Sequence, residues 1–154
     1  MLKIMFAGSM LALATPLAAA PSLSAADRSA LEQLKTANDT AWDRKDLATI
    51  SSQYAADATV RIAPDAALVE GRRAIEGFFR ASFDRRQGEF RHLTTLAHLD
   101  ALDADTVFSE GDVRVEKREP DGSWALARRF RTVSVVVRDG AGWKLRSVRA
   151  IPLN

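Results

Sequence analysis

The second half of the chain leaves few folds open. Four runs rich in β-branched and aromatic residues, 89–99, 106–116, 123–137 and 143–151, follow one another with only short separators. The separators are 100–105, Pro120-Asp121-Gly122 and Asp139-Gly140-Ala141-Gly142, each suited to closing a hairpin. Strands joined by tight turns pair antiparallel, so this half is expected to be a meander within one sheet. From Phe130 to Val137 both faces of the third run are mostly apolar, with Thr132, Ser134 and Val136 on one side and Val133, Val135 and Val137 on the other. Such a strand needs cover on each face.

Helices ahead of the meander can supply one cover. Leu31, Leu34, Ala37, Ala41 and Trp42 form one stripe at helical spacing over 27–45. Asp46 is placed to cap a shorter second helix through Leu47, Ile50 and Tyr54. A short strand over 58–62 ends at a Pro64-Asp65 turn. Gly71 then precedes a third helix over 72–83, with Ile75, Phe78, Phe79 and Phe83 along one face. The fold class is therefore α+β: three N-terminal helices on a strongly curved antiparallel sheet of about four long strands plus one or two short ones. With 154 residues, 47% of them hydrophobic, the chain supports one core. The outer sheet face then falls to a second copy, which makes a homodimer the expected assembly.

Lys3, an apolar run over 4–17 and an alanine-rich stretch ending at Ala26 have the three-part layout of a secretory signal peptide. The run is shorter than the roughly 20 residues that cross a bilayer, so no stable membrane insertion is expected after removal of the leader. Ser24-Ala25-Ala26 offers small residues before Asp27, whereas a cut after Ala20 would place Pro21 just past the bond. A leader over 1–26, a domain over 27–154 and a periplasmic or secreted location follow. The chain contains no cysteine, which excludes disulfides, a thiol nucleophile and a lipid-bearing cysteine. Its 22 basic and 20 acidic residues nearly balance and are interspersed, so nucleic acid is not an expected partner.

Four local stretches carry a family resemblance: 41–47 (AWDRKDL), 54–60 (YAADATV), Gly71-Arg72-Arg73-Ala74-Ile75 with Phe78-Phe79, and the closing 137–145 (VRDGAGWKL). In this order they resemble the nuclear-transport-factor-2-like superfamily, closest to its SnoaL-like and SgcJ/EcaC-like members. The resemblance implies a cystatin-like cone with a pocket between helices and sheet. Most of these residues have structural work of their own as caps, packing aromatics and turns. In the superfamily's ketosteroid isomerases, a strand carboxylate moves the proton, while a helix tyrosine and a protonated aspartate hold the oxyanion. Those positions fall here at Ile62, Asn38 and Ser134. Isoleucine carries no proton, so that mechanism is not expected; the fold alone excludes no other.

The stretch Arg91-His92-Leu93-Thr94-Thr95 resembles the Arg-His strand of scytalone-dehydratase-like and some SnoaL-like proteins, which makes His92 the catalytic candidate. Imidazole titrates near neutral pH and suits proton transfer beside a carbonyl or the expulsion of water. The plainer alternative is a hydrogen-bonded wall residue, since the sequence shows no partner to orient it. Asn38, Trp42, Tyr54, Ile62, Phe79, Phe130 and Ser134 would line the same pocket, with Asn38 and Trp42 one helical turn apart. His98 lies about 20 Å along the strand from His92, too far for a shared metal. Arg128, Arg129 and Arg131 flank Phe130, with Arg128 on its face, where they would either hold an anion or pair with Glu110, Asp112 and Glu116 on the neighbouring strand.

Two functions are compatible with this pattern. One is an exported pocket protein that binds or converts a small, largely apolar carbonyl or hydroxyl compound as an isomerase, cyclase or dehydratase would. No cofactor is expected for it, since neither a phosphate-cradling glycine loop nor a metal-ligand cluster appears. The other is a non-catalytic exported module for dimerisation or ligand binding.

Overall fold

The computed structural model describes residues 21–140 and 142–153. Most of the expected leader, residues 1–20, lies outside the described residues, as does Ala141 in the last turn. The first helix, α1 (Ala25–Asp43), is capped by Ser24, whose hydroxyl accepts the Asp27 N–H at 3.0 Å. The expected junction at Ala26–Asp27 thus falls inside its first turn. No helix among the described residues is long and apolar enough to cross a membrane.

Helix α2 (Leu47–Ser52) opens as expected on Asp46, which accepts the Thr49 N–H at 3.0 Å. It stops sooner than its apolar spacing suggests. Tyr54 belongs instead to β1 (Tyr54–Ile62), where it lies opposite Leu145 of the final strand. A two-residue strand, β2 (Val69–Glu70), pairs back on β1, and α3 (Arg72–Asp84) follows. Gly71 joins them with φ of +83°, a backbone conformation that side chains with a Cβ rarely adopt.

The four long strands are β3 (Phe90–Ala101), β4 (Thr106–Arg118), β5 (Trp124–Asp139) and β6 (Gly142–Leu153). They form the antiparallel meander that the turns demand. Strand β1 joins it beside β6 and runs parallel to it, so the six-stranded sheet is mixed, in the order β2-β1-β6-β5-β4-β3. Hairpin reasoning could not supply that pairing, because the segment between β1 and β6 spans a helix and four strands.

Pairing slips between Leu96 and His98, between Val115 and Glu116, and between Val135 and Val136. Such irregularities bend and twist the strands that carry them, which lets the sheet wrap around the helices. Gly111 lies at a close approach in β4: a Cβ there would sit 3.1 Å from the Thr95 carbonyl and 3.2 Å from the Thr132 hydroxyl. One buried cluster gathers Ile50, Tyr54, Ala58, Val60, Ile75, Phe79 and Phe83 beneath α3. A second joins Leu31 of α1 to Val107, Val136 and Trp143 of the sheet, and Leu145 packs against both.

Candidate functional site

A cavity of about 290 Å³ opens between the helices and the inner face of the sheet. Helix α1 contributes Asn38, Asp39 and Trp42, β1 contributes Tyr54, Val60 and Ile62, and α3 contributes Phe78, Phe79 and Ser82. His92 and Thr94 enter from β3, and Arg128, Phe130 and Thr132 from β5. Ser134 is the one expected lining residue that lies elsewhere: it faces an adjoining chamber of about 120 Å³, which shares Asn38, Tyr54, Thr94 and Thr132 with the first. A larger groove, about 560 Å³, runs along the outside of α1 and α2 past Ser29, Thr36, Thr40 and Asp46, away from His92.

Trp42 is the hub of the aromatic wall, with ring centroids 4.7 Å from Phe79, 5.1 Å from Phe83 and 5.3 Å from His92. The edge-on approach to both phenylalanines suits the ring quadrupoles. Asn38 is tied by its amide to the Gln53 side chain at 2.6 Å. Tyr54 is 4% exposed, and burial pushes its phenol pKa up, so the hydroxyl remains neutral.

His92 does have an orienting partner, which sequence reading missed. Its Nδ1 lies 2.9 Å from Asp43 Oδ1, and its backbone N–H donates to the same oxygen at 2.6 Å. One turn earlier on α1, Asp39 accepts the Thr94 N–H at 2.9 Å and the Thr94 hydroxyl at 2.6 Å. The pattern has a structural cause. Strand β3 is at the edge of the sheet, and alternate N–H groups along that edge have no strand to pair with. Two carboxylates four residues apart on α1 satisfy them.

A carboxylate at Nδ1 requires the hydrogen there, which leaves the Nε2 lone pair facing the cavity. The Arg86 guanidinium is 3.3 Å from Nε2, longer than an ordinary N–H bond of this kind. Burial holds the His92 pKa below the usual imidazole value; the bond to Asp43 opposes this, and the charge on Arg86 reinforces it. The ring is therefore a neutral base near neutral pH. Burial raises the Asp39 carboxyl above the usual carboxylate value, against the two bonds from Thr94.

Arg86 stands among aromatic faces, 5.4 Å from Trp42, 6.0 Å from Phe83 and 5.4 Å from Phe90. Arg85 and Arg128 also line the cavity and are exposed at its rim. Of the arginines weighed against strand neighbours, Arg131 pairs with Asp112 at 3.1 Å, while Glu116 is held by Arg91 and Arg114 instead. His98 pairs with Asp100 at 2.9 Å on the surface; the slip at Leu96/His98 turns it off the face that carries His92. Among the described residues, no three His, Asp or Glu side chains converge as a metal site.

Residues 24–149 match the SnoaL-like domain family. The chain belongs to that family. As a SnoaL-like domain it falls within the nuclear-transport-factor-2-like superfamily, and its solved neighbours agree in fold. A Nostoc punctiforme protein of unknown function with a cystatin-like fold superposes with a TM-score of 0.75 at 18% identity, covering 86% of this chain and 96% of that one. Aln2 from a Streptomyces species gives 0.77 at 20% identity, covering 84% and 93%. A Catenulispora acidiphila protein in complex with S-DNPA gives 0.72 at 21% identity, covering 82% and 95%. No curated protein sequence matches this SnoaL-like chain.

Proposed function

We propose that this SnoaL-like chain is an exported pocket protein that takes up a small, largely apolar molecule bearing a carbonyl or hydroxyl and converts it without a cofactor, with His92 as proton carrier. The observation behind this reading is the Asp43–His92 pair, whose free ring nitrogen opens on an aromatic-walled cavity. A neutral imidazole held by a carboxylate can take a proton from a carbon beside a carbonyl, and Asp43 then stabilises the imidazolium. Returning that proton to another carbon completes an isomerisation; where the carbanion instead attacks a second carbonyl of the same molecule, a carbon–carbon bond forms and the resulting alkoxide takes the proton, which completes a ring closure. Delivering it to a departing hydroxide completes a dehydration, with water as the second product. An incoming ligand competes with Arg86 for Nε2, a contest that the long 3.3 Å contact makes easy.

The complex formed by the Catenulispora neighbour supports the use of this fold for ligand uptake. Export rests on the leader-like composition of residues 1–26. The test has two stages. Native mass spectrometry of protein recovered from the periplasm should show a co-purifying small molecule, and a bare chain counts against uptake. Turnover of the identified compound should fall at least about 100-fold in both His92→Gln and Asp43→Asn, the range expected for loss of a positioned base. Unchanged turnover in His92→Gln removes the catalytic assignment.

A further inference from the structure

Proton transfer at His92 leaves the guanidinium groups at the cavity unexplained. Several arginines elsewhere on the molecule are paired with acids: Arg80 with Glu76, Arg91 and Arg114 with Glu116, Arg131 with Asp112, Arg138 with Asp27. Neither Arg86 nor Arg128 has a carboxylate within 4.0 Å among the described residues, although both line one cavity. The nearby acids are already committed, Asp39 to both donors of Thr94 and Asp43 to both donors of His92. Two guanidinium groups therefore line one cavity without an ion-pair partner among the described residues, although the Asp39 carboxylate lines the same cavity.

The arrangement has a cost that the chain retains. Arg86 is half-buried, and its pKa is lowered by burial first and by the charge of Arg128 second. A guanidinium stays protonated under such pressure, so the repulsion persists until an anion enters. Aromatic faces hold Arg86 in place before any ligand arrives, which lessens the ordering needed on binding.

We propose that Arg86 and Arg128 form an anion subsite and that the molecule taken up is an apolar, ring-bearing carboxylate, its acid group between the two guanidiniums and its body against Trp42, Phe79 and Phe130. Guanidinium and carboxylate match as planar, charge-assisted partners, and the rest of the wall is suited to a flat hydrocarbon. This assignment rests on the cavity being a binding site and names the class of molecule that it selects.

Matched probes separate the two ideas. 2-Naphthoate and 2-naphthamide have nearly the same shape and differ in charge, and both can be titrated calorimetrically into the full chain at low and at high salt. Naphthoate should bind at least about tenfold tighter than the amide, an advantage of about 1.4 kcal/mol that shrinks as salt rises. Arg128 is exposed, so Arg128→Gln should keep the melting temperature while losing most of the preference. Arg86→Gln in the same background should abolish it. Amide binding equal to or tighter than naphthoate overturns the anion subsite and leaves the pocket standing. A preference that survives in the double variant overturns the assignment to these two arginines, and failure of both probes to bind overturns the pocket together with the subsite.

Discussion

Asp43 accepts two hydrogen bonds from a single residue, and this fixes how His92 responds to pH. The folded state lowers the imidazole pKa, so the unfolded chain binds the proton better. The stabilising contribution is complete above the unfolded value of about 6.5 and is lost as pH falls from there toward the folded value. Asp39 acts with opposite sign, since its raised pKa contributes stability below the unfolded carboxylate value and loses it as pH rises through the folded one. Melting temperatures measured from pH 7.5 to 5.0 should therefore fall less in His92→Gln than in the parent. Equal slopes would mean that His92 is not held neutral. The imidazole and its aromatic neighbours were legible from spacing and family likeness, because Trp42 and Phe79 announce their face through helical periodicity. Asp43 was not: it lies 49 positions from His92, and only the docking of α1 on β3 brings them together. Arg86, just past the end of α3, carried no pattern either.

At the scale of elements, the start of α1 matters most. Ser24 and Asp27 bond reciprocally, the hydroxyl to Asp27 Oδ2 at 2.7 Å and the Asp27 N–H to the hydroxyl at 3.0 Å. Asp27 also receives Arg138 at 2.8 Å, and Arg138 reaches Asp105 at 3.0 Å while lying 4.3 Å over Trp143. Ser24→Ala should lower unfolding free energy in urea by about 1 kcal/mol, as loss of an N-cap does. A chain beginning at Asp27 should be less stable than one beginning at Pro21 by at least that much, since it also sets an ammonium against the positive end of the helix. Equal midpoints would show that Ser24 contributes nothing. Helices and meander could be read from periodicity and turn residues, because both signals are local. The parallel docking of β1 on β6 and the slip that turns His98 outward depend on distant partners, which single-sequence patterns do not encode.

For the whole molecule, the outer sheet face is the surface that the helices leave uncovered. Val133 and Val135 remain half-buried there, opposite Glu110 and Phe108 of β4, and Ile151 is 41% exposed. We propose that two copies meet on this face, as the two-sided apolar character of β5 led us to expect. Sedimentation at micromolar concentration should give a dimer, and Val135→Glu should shift it to monomer with the helical circular dichroism kept. A monomeric parent would refute the assignment. The inner face was predictable because its alternation continues through β3 to β6; the hollow was expected from the family likeness alone, since emptiness has no residue to mark it.

The acidic pair on α1 also bears on how such a sheet avoids growth. By taking the outward N–H groups of His92 and Thr94, Asp39 and Asp43 fill the place that an invading strand would need. Strand addition at these two positions is blocked, because their backbone donors are already held by side chains. An incoming chain is therefore kept from lengthening the sheet past β3 at this stretch.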